Sequence, residues 1–491
     1  VNKLKRISFE NLLVALCILL CALSLYSIFQ SNYILVYVLF IISFAALSIG
    51  YFVLNKLTLY KMLFFFIPLS LTVSIIGEAQ IQLPTEPMIG LLSILLIAYW
   101  IKLKDEFIVL FKNPIVIILF IELAWMIVSS ITSELVIVSF KYTFVRFCYI
   151  STFFLLGYFW LKKEKKPHQF FILYGLGLIL PIINGLVFHA QFDFAQRAAY
   201  PMPQPFFNDH TVYGACIAYI IPALIIIFHS KELLPKPSHR ILLLILLAFL
   251  FVAEFFSYSR AAWISLVGSL LLYLLIIFKM SGKTFILSIL FLSVVAMLNY
   301  DTLQKMVEEN KAISNKEDLG QQLKSITNIK TDVSNIERVN RWKCAIRMGN
   351  AKPIFGFGPR TYKFYYGGFQ TREDLNYTST FNGNKGHSHS DYLSYLAENG
   401  YPGFIIHILL YLIIIYQSLN TIRTCISKQN RTLALIGLLS LITYIIHGMF
   451  NGFMEDEKMA SLVYMSMAMI VFAQLNEKEL KEKQGKTNTT I

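Results

Sequence analysis

The sequence predicts an all-α polytopic integral membrane protein of about 12–14 transmembrane helices, with one large, mainly helical loop on a single side of the bilayer. Composition is the first observation: 56% of the 491 residues are hydrophobic and only 15% are charged. The second is the length of the apolar runs. Stretches of about 17 to 25 residues, what a helix needs to cross the hydrocarbon core, recur from Phe9 almost to the C-terminus. The third is the charge pattern. A formal net charge of +14 falls in short basic clusters between apolar runs, which speaks for membrane orientation and against a nucleic-acid partner.

Taken in order, the candidate spans are 9–30, 33–54, 57–76, 87–101, 114–132, 136–160, 169–190, 209–229, 240–257, 262–279, 283–299, 403–419, 432–450 and 459–475. They divide the chain into membrane helices over 1–299, a large polar loop over 300–402, further membrane helices over 403–475, and a tail over 476–491. The start, with Lys3, Lys5 and Arg6 before Leu12 to Phe29, resembles a signal peptide. Its apolar stretch is too long and no small-residue cleavage pattern follows, so a retained first helix is expected. Alternate loops are basic, most densely at Lys162, Lys163, Lys165 and Lys166. That bias predicts both termini inside and the long loop outside. The pair 240–257 and 262–279 is its weakest point, because only Ser257-Tyr258-Ser259-Arg260 joins the two. Of six cysteines, only Cys344 lies in the long loop, which therefore holds no disulfide of its own.

Charges inside spans need a partner or a purpose, since one at bilayer depth costs roughly 2.5 to 3.5 kcal/mol. Lys141 and Arg146 fall in the outer half of the sixth span and Arg260 at the outer end of the tenth, on the side of the long loop. Glu122 and Glu254 are the candidate counter-ions, which would make the set structural. His189, His407 and His447 read as packing or interfacial residues, and no Cys/His pair has metal spacing. In the segment 191–210, Asn208 or Asp209 is suited to cap the next span. A plain helix start and a substrate contact both stand as readings there.

Within the long loop, 307–330 is polar and expected to be mobile. Order returns at a capping box, with Ser334 as N-cap and Glu337 at N3, opening a helix to about Met348. Arg338, Arg341, Trp342 and Ala345 share its face while Arg347 points elsewhere. That face is either an anion and ring platform or a solvated basic surface. The Gly-rich Phe355 to Tyr362 lacks the Lys-Ser/Thr of a nucleotide loop. Last comes Gly386-His387-Ser388-His389-Ser390-Asp391-Tyr392, opening a helix that Gly400 and Pro402 end. His389 at a helix N-terminus feels a dipole that disfavours imidazolium, so its neutral form can accept a proton. A polar loop with two solvated histidines is the alternative.

These residues carry a resemblance. Thr331 to Trp342, Pro353 to Pro359, His387 to Leu393 and Ala397 to Gly400 resemble the C-terminal signature of the O-antigen ligase and polymerase superfamily. Ser257 to Trp263 is similar to its Ser-Arg-x-x-Trp segment, and Phe206 to Gly214 to its upstream motif. The motifs run from about 200 to 403 in family order. The resemblance implies a GT-C type glycosyltransferase of the bacterial inner membrane with a periplasmic catalytic loop. It further implies a donor glycan on undecaprenyl pyrophosphate, and neither metal nor cofactor. His389 aligns with the family histidine, Arg338 with the arginine four residues before the tryptophan, and Arg260 with the Ser-Arg arginine. These are the expected catalytic residues. Lys141, Arg146, Arg341, His387 and Tyr392 complete the expected site as binders of pyrophosphate and glycan.

The implied reaction suits the residue types. A neutral histidine removes the acceptor hydroxyl proton, and arginines stabilise the departing pyrophosphate. A single attack would invert the anomeric centre. The acceptor expected first is lipid A-core, making an O-antigen ligase. A growing polymer (polymerase) or a protein Ser/Thr (protein O-oligosaccharyltransferase) is compatible with the same motifs. A lipid-linked oligosaccharide flippase or a membrane scaffold are the readings outside the enzyme class. A flippase would usually show paired halves, and no internal repeat is seen.

Overall fold

The computed structural model describes residues 56–74, 80–164, 166–279, 333–374 and 386–488. The spans expected at 9–30, 33–54 and 283–299 lie outside the described residues, as does the polar stretch 307–330. In chain order the elements are α1 (Lys56–Phe66), β1 (Leu71–Ser74), β2 (Gln80–Leu83), α2 (Thr85–Lys102), α3 (Pro114–Ile131), α4 (Val136–Lys163) and α5 (Gln169–Ala190). There follow α6 (His210–His229), α7 (Pro237–Phe256), α8 (Arg260–Ile277), α9 (Val333–Ala351), α10 (Asp391–Thr424), α11 (Lys428–His447) and α12 (Glu457–Asn488). Among the described residues, nine helices, α3 to α8 and α10 to α12, are long and apolar enough to cross a membrane. The chain is an all-α polytopic membrane protein.

Two expectations need correction. The span placed at 57–76 stops short: α1 and a 3-10 turn end at Leu69, and β1 pairs antiparallel with β2, Leu71 opposite Leu83. Pro68 begins the change and the β-branched Thr72 and Val73 favour the extended form. Lys458 ties the hairpin to α12 by donating to Ser70 Oγ at 2.6 Å and Gln82 Oε1 at 2.7 Å. Second, α12 continues to Asn488, so most of the expected tail is helix. The side chain of Ser334, the expected N-cap of α9, lies outside what is described. The doubtful pair at 240–257 and 262–279 is two separate helices, α7 and α8, both packed on α6.

Helices α6 and α11, the second half of α4 and the first half of α12 are buried on nearly every side and form the middle of the bundle. Small residues let them approach closely. A side chain at Gly437 would run into Ile470 and Ser466 of α12. Helices α7, α8 and α10 flank this core and leave isoleucines and leucines such as Ile241, Leu270 and Leu412 exposed, as lipid-facing helices do.

The polar segment is clamped to the end of α3. Ser129 Oγ donates to Phe355 O at 2.7 Å and to Glu398 O at 2.9 Å, Ser133 Oγ to Phe357 O at 2.8 Å, and Trp125 Nε1 to Asn399 O at 2.9 Å. Within the segment, the Glu398 carboxylate accepts from Arg360 N at 2.9 Å and Tyr362 N at 3.1 Å, closing the Gly-rich turn over the end of the first part of α10. Gly400, at φ 68°, breaks α10 here and lets Tyr401 N reach Pro353 O at 2.8 Å. The helix then resumes into the bundle.

Below the break, a buried polar network joins α3, α10 and α11. His407 Nδ1 meets Glu122 Oε1 at 2.6 Å and its Nε2 lies 3.4 Å from Asp391 Oδ2, which also accepts from Tyr444 OH at 3.0 Å. The Tyr395 ring stacks on His407 at 3.8 Å. Removing one member leaves another buried and unpaired. Glu122→Ala is therefore expected to cost about 3 kcal/mol of stability, and Glu122→Leu with His407→Leu to recover part of that loss. Thermal unfolding of the purified variants measures both.

Candidate active site

The stretch Ser257–Ser259 turns between α7 and α8 and sets Arg260 as the first residue of α8. Ser257 Oγ donates to Glu254 O at 2.7 Å and accepts from Ser259 N at 3.1 Å, while Tyr258, at φ 53°, bonds Phe194 O at 2.9 Å. Gly214 of α6 lies against Ser257 and Ser259, where a side chain would collide. The upstream motif thus seats the Ser-Arg motif.

Arg260 lines a cavity of about 190 Å³ that Arg338 of α9 also lines. Its remaining wall includes Gln196, Tyr200, His210, Thr211 and Tyr258, with Phe450 and Asn451 from the connection after α11. Two arginines lining one cavity are of the type suited to bind an anion.

Next to it stands the histidine loop. Ser390 caps α10 by accepting from Leu393 N, so His389 is the residue before the cap, held at φ 54°. A non-glycine residue in this region is strained and needs support. Support comes from α9: Arg341 Nη1 donates to His387 O at 3.1 Å and Trp342 Nε1 to His389 O at 3.1 Å. Ser388 Oγ bonds Ser390 O at 2.6 Å, and His389 N donates to His387 Nδ1 at 3.0 Å. Burial, then the charges of Arg341 and Arg338, push the His389 imidazole down to about 4. Burial and its cationic neighbours hold His387 well below the ordinary histidine range too.

The structure brings Arg260, Arg338 and His389 to one place, His389 adjoining the cavity through Asn451, whose Oδ1 is 3.4 Å from His389 Nδ1. Other expected site residues lie elsewhere. Arg341 is not in the cavity wall: it is buried, bonded to Glu337 at 2.8 Å and stacked over Tyr366 at 5.0 Å. Arg341 and Trp342 serve the loop backbone, so the expected platform reduces to Arg338. Arg146 is buried in the bundle, donating to Met454 O at 3.1 Å and Tyr395 OH at 2.5 Å. Lys141 is exposed on α4 and no part of the cavity wall. Tyr392 gives its hydroxyl to Ile445 O at 2.7 Å, a packing role, and His387 serves the turn. Glu254 is not the counter-ion of Arg260, since neither carboxylate oxygen has a hydrogen-bond partner among the described residues. Glu122 pairs with His407.

Two site residues escaped sequence reasoning. His210 lines the cavity with its Nδ1 2.9 Å from Asp209 Oδ1, and Asp209 also caps α6 through Thr211 N at 2.7 Å. The signal was the Asn208-Asp209-His210 run, for which a helix start and a substrate contact both stood without His210 being singled out. Asn451 gave none, being an uncharged residue in a short turn.

Residues 242–408 match the family model described as O-antigen ligase. No curated protein matches the chain.

With His389 near 4, the imidazole is neutral throughout the neutral range. The unfolded chain takes up that proton at about 6.5, so acidification from there toward 4 favours unfolding and stability falls. Titration of ¹⁵N-histidine-labelled protein should place the His389 midpoint near 4, and Arg338→Gln should raise it; a wild-type midpoint at the ordinary histidine value would refute the assignment.

Proposed function

We propose, from the match of residues 242–408 to the O-antigen ligase family model, that the chain transfers a glycan from undecaprenyl pyrophosphate to an acceptor hydroxyl at the periplasmic face of the bacterial inner membrane. The acceptor in this reading is lipid A-core. The observation that carries it is the cavity lined by both Arg260 and Arg338, beside a histidine kept neutral by burial and the charges of Arg341 and Arg338.

The steps follow from the residues. His389 takes the proton of the acceptor hydroxyl as its oxygen forms a bond to the anomeric carbon. The bond from that carbon to the pyrophosphate oxygen breaks, with inversion. Negative charge grows on the departing lipid pyrophosphate, where two guanidiniums bind it bidentately without losing their own charge. The apolar helices α7 and α8 next to Arg260 offer the lipid chain a place in the bilayer. Arg341 and Trp342 act by holding the histidine loop in its strained form.

A second proton acceptor is favoured by one observation: His210 itself lines the cavity, oriented by Asp209. Hydrogen bonds from His210 and Thr211 outweigh burial and hold the Asp209 carboxyl below its ordinary range, so that residue stays charged.

With purified enzyme and a lipid-pyrophosphate glycan, His389→Ala is expected to lose ~10² to 10⁴ in transfer rate. Arg260→Lys and Arg338→Lys should each lose activity although charge is kept. Full activity in His389→Ala together with loss in His210→Ala would pass the base role to His210. The glycan profile of a deletion strain reads the acceptor: polymer absent from core indicates a ligase, one-repeat products a polymerase, and unglycosylated proteins the protein-directed enzyme.

A further inference from the structure

Asn451 stands between two histidines and the cavity. It is 2% exposed, lines the cavity, and lies in the turn that ends α11, where Phe450 N and Asn451 N both donate to His447 O, at 2.9 and 3.1 Å. That turn is joined to the histidine loop by Asp391 N donating to Gly448 O at 2.8 Å. The amide is gripped at both ends: Oδ1 is 3.4 Å from His389 Nδ1, and Nδ2 is 3.3 Å from His447 Nε2.

An amide nitrogen only donates and an amide oxygen only accepts. With Nδ2 turned to His447, Oδ1 is left for His389, and an acceptor there requires the proton of the neutral imidazole to be on Nδ1. Nε2 then keeps its lone pair. We infer that Asn451 is the positioning residue of this site: oriented by His447, its amide holds His389 in the tautomer whose Nε2 is free to accept a proton. This rests on the reading of His389 as the base and adds what selects its reactive form. A base in the other tautomer would present N–H to the acceptor and accept nothing.

Among the described residues, the neighbourhood supplies no competing acceptor for Nδ1. The charged and titratable groups around His389 are Arg338 and Arg341 on α9, His387 in its own loop, Asp209 ahead of α6, and His447 on α11. The two arginines donate only. His387 Nδ1 is engaged by the backbone N–H of His389. Asp209 is committed to His210 and Thr211. The amide oxygen of Asn451 also favours the protonated ring, opposing the arginines. A carboxylate at that position would do so more strongly.

The experiment uses full-length protein with ¹⁵N-labelled histidine in lipid nanodiscs, without substrate at pH 7, the His389 signals being identified by their loss in His389→Gln. Wild type should show Nδ1 protonated and Nε2 as a bare acceptor. Asn451→Leu should mix or reverse the two forms and lower kcat roughly 10- to 100-fold, as loss of an imidazole's orienting partner does elsewhere. Asn451→Asp, close to isosteric, should keep the Nδ1–H form and move the acid limb of the rate profile to higher pH. An Nε2–H tautomer in wild type, or an unchanged tautomer in Asn451→Leu, overturns the inference. The tautomer is read without turnover, so the two ideas fail separately: full activity in His389→Gln refutes the base role while the spectra still judge Asn451.

Discussion

The site depends on how Asp391 is held. It is the first residue of α10, its backbone N–H bound to the turn after α11 and its carboxylate to Tyr444 and to the His407–Glu122 pair. Three transmembrane helices thereby fix one helix start. In a bilayer such a network is not optional once its members are present, because each buried charge left alone costs several kcal/mol. The same start sets the height of Ser390, and His389 directly before it. A strained histidine backbone persists there because both of its flanks are anchored.

The arginines show how identical side chains diverge by what their N–H groups bind. Arg341 is spent on Glu337 and a loop carbonyl, and Arg146 on Met454 O and Tyr395. Arg260 and Arg338, from separate elements, line one cavity. All four are cations, yet of these only Arg260 and Arg338 line the cavity. Arg341 still contributes, since its charge, with that of Arg338, keeps His389 neutral. The pairing of motifs has the same logic. Glu398 of the Ala-Glu-Asn-Gly stretch accepts from the turn that follows Phe-Gly-Phe-Gly, and Gly214 makes room for Ser257 and Ser259. Motifs distant along the chain are contact partners.

Much of the fold was legible because hydropathy and length are local. A helix that crosses a bilayer satisfies its own backbone, so its existence needs no knowledge of neighbours. The misread span at 57–76 fails where that ceases to hold: Leu71–Ser74 is extended and takes its backbone partners from the next strand, β2, while the turn before it is held by the distant Lys458.

By itself the sequence determined the membrane class and the order of the motifs, because residue type and spacing carry that information, and through its resemblance it pointed to His389, Arg338 and Arg260, which the structure brings together at the candidate site. Only the tertiary structure decided which cations border the cavity, that Glu122 serves His407, and that His210 and Asn451 stand beside the site. The reason is physical. A charge or an amide has no role until its partner is fixed, and here the partners lie tens to hundreds of residues away, brought within hydrogen-bond reach only when the helices pack.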